Sequence, residues 1–330
     1  MQKPTSIFDR FFNQSRSIWR SIPIIVVILL LPFLGAILDG SLEQFIQQGH
    51  WRTILFAPTI ALYIWIITPY MTRAGENVIS ALRPLVGLND QDFQAQVYAA
   101  EQIKPSHEIA AVVAGVMLGI AATATDIEPV FSWVTLYWFI STILMYGMLA
   151  WTIFLAVNST RFNAALHRLP LQFDILNPRP FETVGRQSLL LALVFIGGIT
   201  LSLLFTYSEA RLTVPEFWIS NLIFVVFIIL IFFLSMRPTH LILAAEKKRV
   251  LEPVTERIND ACRELVQQLE DGKDPGELSG QVSALVAYEQ RLIAARTWPY
   301  NVTILRTLFF SVFIPLMSVL ARVAVDLLFP

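Results

Sequence analysis

The sequence predicts an all-α, polytopic membrane protein with seven transmembrane helices, N-terminus inside and C-terminus outside, plus a cytoplasmic helical hairpin. Three observations predict it. The chain of 330 residues is 55% hydrophobic and 15% charged, too apolar to cover a soluble surface of its size. Seven of its stretches are apolar over close to the ~20 residues that a helix needs to cross a hydrocarbon core about 30 Å thick. Finally, its basic residues are divided very unevenly between the segments that join those stretches.

The apolar stretches are Ser21–Leu38, Thr53–Tyr70, Ile109–Thr125, Val130–Val157, Ser188–Tyr207, Phe217–Ser235 and Val302–Phe329. Lipid offers no partner to a backbone amide, so each run must close its hydrogen bonds internally as a helix. The first follows a basic segment but lacks a small-x-small cleavage site, and it reads as a retained signal anchor. Assigning the joining segments alternately to two sides puts Lys3 to Arg20, Arg73, Arg83, Lys104, Arg161, Arg168, Arg179, Arg186 and every basic residue from Arg237 to Arg296 on one side. The other side keeps Arg52 and Arg211, while Arg306 and Arg322 fall within the last run. The positive-inside rule makes the richer side the cytoplasm.

These assignments divide the chain into a cytoplasmic segment at 1–20, a membrane domain at 21–235, a cytoplasmic hairpin at 236–300 and the seventh membrane helix at 301–330. The outer loops are short, so any ligand from that side enters between helices. On the inner side, Phe93, Val97 and Ile103 are spaced as on a surface helix. Asn177-Pro178-Arg179-Pro180 then breaks the chain among Phe173, Ile175, Leu176 and Phe181, beside Arg168 and Arg186. That mixture suits either a packed linker or the lipid headgroup layer. In the hairpin, Leu251, Val254, Ile258, Leu265 and Leu269 form a coiled-coil-like seam for an oligomer or partner. Asp271-Gly272-Lys273-Asp274-Pro275-Gly276 supplies its turn, and Trp298-Pro299-Tyr300 an interfacial anchor before the last helix.

The catalytic inventory is poor, and no enzyme activity is expected. No phosphate-binding loop, His-Glu-x-x-His helix or Gly-x-Ser-x-Gly elbow is present. Asp326 is the one carboxylate expected inside the membrane, and the lone Cys262 forms no internal disulfide. His50, His107, His167 and His240 are scattered, so no metal site is expected from them; no cofactor and no nucleic acid are expected either. The last run differs from the others. At about 100° per residue, Thr303, Thr307, Ser311, Pro315, Ser318, Arg322 and Asp326 share one sector of its wheel. Such a stripe faces either packed helices or a water-lined path, and its ionisable pair can interact four residues apart. Arg306 lies outside the stripe and suits an anchor at the inner interface. Gly115 and Gly119, like Gly197 and Gly198, are assigned to close helix packing. Pro23, Pro32, Pro58, Pro69 and Pro315 each free a backbone carbonyl.

An N-inside, C-outside chain opposes the G-protein-coupled receptors and rhodopsins, and the seventh helix has no lysine for a retinal Schiff base. With its inner hairpin, scant outer loops and striped last helix, the sequence resembles the seven-transmembrane ion channels of the insect odorant and gustatory receptor type. The resemblance is one of topology. It implies a chemoreceptor-like homo-oligomeric channel, as in a tetramer, whose seventh helix lines the pore and whose hairpins join the subunits. A solute transporter with the stripe in an alternating-access cavity, or a signalling scaffold acting through the hairpin, are the other readings. Membrane lipid is the expected partner, and short loops and compact length suggest a prokaryotic inner membrane. The sequence names no ligand.

Overall fold

A computed structural model describes residues 18–102, 104–124, 132–166, 169, 171–206, 215–272, 274 and 276–328. Among the described residues the architecture is helical, with a single isolated bridge between Val86 and Leu171. The helices are α1 (Ile18–Leu38), α2 (Leu42–Gln47), α3 (His50–Leu82), α4 (Asp90–Glu101), α5 (Pro105–Thr123), α6 (Trp133–Leu166), α7 (Arg179–Thr206), α8 (Pro215–Glu270), α9 (Gly276–Ala294) and α10 (Val302–Leu328). Five of the described helical segments are long and apolar enough to cross a membrane, the mark of an integral membrane protein. Two shorter apolar segments, Ile22–Leu38 and Val302–Ile314, lie within α1 and α10. Ile103, Asp126–Pro129, His167 and Arg168 lie outside the described residues.

Proline and tyrosine chemistry joins α1 to the bundle. Pro32 has no amide to offer the carbonyl of Ile28, and the Tyr137 hydroxyl of α6 donates to that carbonyl at 2.8 Å. At the end of α1, Asp39 caps α6 from a distance. Ser132 Oγ donates to its carboxylate at 2.7 Å, and the amides of Trp133 and Val134 donate at 3.0 Å. Burial opposes ionisation of Asp39, but these hydrogen bonds outweigh it and hold the carboxyl below the usual aspartate range.

The tightest pairing is α5 on α6. A Cβ added at Gly115 would stand 2.5 Å from the Tyr146 carbonyl and 2.6 Å from Ala150 Cβ. One at Gly119 would stand 2.9 Å from Ile143 Cα, so the two helices touch backbone to backbone. Gly197 instead makes room for the Tyr63 ring of α3, whose hydroxyl donates to the Val194 carbonyl at 2.9 Å. Gly198 meets nothing within 4 Å and takes no part in close packing.

The apolar run expected to end at Ser235 continues without a break into α8, which is 56 residues long. At 1.5 Å per residue that is roughly 84 Å, far more than a bilayer core, so its charged C-terminal half must project into water. The sequence marks a boundary at 235/236 because charge begins at Arg237. The backbone does not, and both Pro238 and Pro253 are accommodated inside the helix.

At this projecting end, six helices and a loop share one apolar core. Val78 and Leu82 of α3, Phe93 and Val97 of α4, Phe162 and Leu166 of α6, Phe181 and Val184 of α7, Leu243 of α8 and Leu292 of α9 meet Ile175 there. The expected surface helix is α4, capped by Asn89, whose side chain accepts from the Asp92 amide at 2.7 Å. Phe173 packs edge-on to Phe181 at 4.8 Å, so the proline-broken linker is part of this core. Leu251 and Val254 also pack against it, and α9 folds back along α8, where Thr255 donates to Glu289 at 2.6 Å. The chain therefore covers the first half of the hairpin seam itself. Ile258 is buried, Leu265 half-buried and Leu269 exposed.

Candidate functional site

The last helix is held by one apolar edge. Ile304 and Leu308 are buried with Ala192 and Ile196 of α7 and Ile228, Phe232 and Met236 of α8. Beside that edge, between α7 and α10, runs an open groove of about 670 Å³. Thr303, Thr307 and Ser311 line it, opposite Leu193, Ile196 and Gly197.

Arg306 lies in the same groove, its guanidinium 5.6 Å from the Phe310 ring, rather than apart from the stripe. The groove thus offers hydroxyls and one cation along two turns of helix. Pro315, Ser318, Arg322 and Asp326 lie on the helical backbone of α10, but their side chains are outside the described residues. The outward face, with Val302, Phe309 and Phe313, is exposed and apolar, while Ile314 lines the groove.

A second polar feature is buried in the bundle and was not evident from the sequence. Asn163 Nδ2 of α6 donates to Gln187 Oε1 of α7 at 3.0 Å, and Gln187 Nε2 donates to Ser159 Oγ at 2.9 Å. The next residue, Ser188, donates to Ser235 Oγ of α8 at 2.9 Å. These side chains tie α6, α7 and α8 together, where an unpaired amide would cost about 1–3 kcal/mol. Asn163 Oδ1, fully buried, has no partner. The residues fall at the ends of apolar runs, where polarity reads as a boundary. Only an Asn and a Gln on helices that meet distinguish the pattern.

Glu108 is the other residue the sequence reading missed. It stands one residue before the third apolar run, and Asp326 was the one carboxylate expected inside the membrane. In the structure it is buried between α5 and α6 and accepts from Trp151 Nε1 at 3.0 Å. A carboxylate at the first turn of α5 also gains from the helix dipole. The available signal was a Trp in the following apolar run, an indole N–H that needs a partner when buried.

Of the histidines, His240 stacks on Trp298 with ring centroids 4.1 Å apart. Among the described residues no group of three His, Cys, Asp or Glu side chains is placed to hold a metal. Comparison with protein-family models, with curated proteins and with solved structures finds no match. The functional reading therefore rests on geometry.

Proposed function

We propose that the chain is a subunit of an oligomeric ion channel with seven membrane spans, N-terminus inside and C-terminus outside, in which α10 lines the pore. The observation that carries this reading is the open groove holding Thr303, Thr307 and Ser311 beside Arg306. A polar row within an apolar helix must avoid lipid, and the chain's own helices leave this one uncovered. Water between several copies of α10 supplies what the row needs, with Ser318, Arg322 and Asp326 continuing it toward the outer mouth.

The projecting part of α8 and the returning α9 fit the cytoplasmic anchor that the insect-receptor topology implies. Because Leu251 and Val254 are already packed within the chain, contacts between subunits fall to the surface beyond them, including exposed Val266 and Leu269. The same covering disfavours the scaffold reading, in which the whole seam binds a partner. A transporter reading draws support from the unpartnered Asn163 oxygen among α6, α7 and α8.

Planar bilayers containing the purified protein separate these readings. The channel reading expects discrete unitary currents that Ser311→Leu abolishes while leaving the oligomer intact on a sizing column. Currents indifferent to that substitution would remove α10 from the path. Solute uptake without unitary current, lost on Asn163→Leu, would favour the transporter.

A further inference from the structure

A cleft of about 430 Å³ opens where the first turn of α7, the end of α9 and the segment leading into α10 meet. Arg179, Arg291 and Arg296 line it, with Glu182 the one acidic side chain and Trp298 and Tyr300 forming an aromatic wall. Among the described residues none of the three guanidinium groups takes part in an ion pair. Three like charges around one small cleft repel each other, and a low-dielectric wall focuses their field into it. The unpaired cations therefore favour an anion between them.

The surrounding backbone is fixed before any ligand arrives. Lys247 of α8 donates to the carbonyls of Ile293 at 2.6 Å and Ala295 at 3.1 Å, tying down the end of α9 between Arg291 and Arg296. Trp298 is held against His240, whose Nδ1 lies 3.1 Å from the Thr297 carbonyl. The Pro299 carbonyl packs so closely on Gly185 that a Cβ there would overlap it. A preformed site loses little freedom on binding.

We infer that this cleft binds a phosphate-bearing anion through Arg179, Arg291 and Arg296. The planar guanidinium fork pairs with two phosphate oxygens at once, which suits it to phosphate over a simple halide. Two sources carry that chemistry: the headgroup of an anionic phospholipid, and a soluble phosphate compound. The segment that closes the cleft leads directly into α10, so an occupant contacts the base of the last helix. The binding inference does not depend on the channel reading.

The test uses the full chain in phosphatidylcholine nanodiscs, read by its thermal unfolding midpoint in two arms. One arm adds inorganic pyrophosphate, and the other replaces part of the lipid with phosphatidylglycerol. A saturable rise in at least one arm is expected, with half-saturation moved about tenfold by each of Arg179→Gln, Arg291→Gln and Arg296→Gln. Arg161→Gln with Arg237→Gln, two exposed arginines elsewhere, should leave it unchanged. A rise confined to the lipid arm identifies the headgroup, one confined to pyrophosphate a soluble ligand, and a rise in both the shared phosphate group. No saturable rise in either arm, or a rise that survives all three substitutions or is equally lost in the Arg161/Arg237 control, overturns the inference. The single variants, each matched to wild type in neutral lipid without anion, guard against a triple variant that fails to fold.

Discussion

Substituting alanine at four glycines should produce a graded loss of stability that follows backbone approach and nothing else. At Gly115 the new methyl would stand 2.5 Å from the Tyr146 carbonyl and 2.6 Å from Ala150 Cβ, where ordinary contact begins at 3.4 Å. Relieving that overlap moves α5 away from α6 by roughly 1 Å, which forfeits a quarter to a half of each facing contact of ~0.1–0.2 kcal/mol. Over some tens of contacts the loss is about 1–3 kcal/mol, the usual range for overpacking. Alanine returns up to ~1 kcal/mol of helix preference, so Gly115→Ala should cost a net ~0–2 kcal/mol. Gly119→Ala, nearest atom 2.9 Å, should cost less. Gly185→Ala, blocked by the Pro299 carbonyl, should cost most, and Gly198→Ala, with nothing within 4 Å, should be neutral or slightly stabilising. Denaturant unfolding in mixed micelles, followed by tryptophan fluorescence, gives the order directly. If Gly198→Ala loses as much as Gly115→Ala, close approach is not what these glycines provide.

Other substitutions test the polar contacts. Tyr137→Phe strips the donor from the Ile28 carbonyl that Pro32 leaves open, and should cost about 1–3 kcal/mol in the same unfolding assay. Replacing Pro32 with Ala as well should restore much of that loss, because an amide again reaches the carbonyl. Gln187→Leu, which breaks both the Asn163 and Ser159 bonds, should destabilise more than Asn163→Leu, which also removes the oxygen without a partner. Asp39→Asn, which turns one of the two accepting oxygens into an amide donor, should cost about 1 kcal/mol at neutral pH. Because the folded-state pKa of Asp39 is lowered, its contribution is present above the unfolded value of 3.8 and lost as pH falls through the folded one. The difference between wild type and Asp39→Asn should therefore shrink only at acid pH. A difference that instead shrinks toward alkaline pH would contradict the assignment.

Much of the architecture was legible because lipid leaves the chain few options. Runs such as Val130–Val157 must be helical, and α6 extends the prediction only where Ser159 and Asn163 carry the helix past the apolar stretch. The surface helix at Phe93 and Val97 was legible from spacing, whereas its Asn89 cap emerges only in the structure. Continuity was harder to read, because α8 passes from apolar to charged sequence with no change in backbone and carries Pro238 and Pro253 inside the helix. At the site, the hydroxyl row was visible on the wheel, whereas the groove depends on where α7 lies. In the cleft, Arg179 lies more than a hundred residues before Arg291 and Arg296, and no periodicity connects it to them.

Cysteine accessibility along α10 tests the central claim most directly. With Cys262 replaced by Ala, cysteines are placed singly at Thr307, Ser311, Ile304 and Leu308, and current across planar bilayers is recorded during exposure to a charged, water-soluble thiol reagent. The account predicts rapid block at positions 307 and 311, which line the groove, and none at 304 and 308, which are buried against α7 and α8. Block at the buried pair with the groove pair untouched would contradict it.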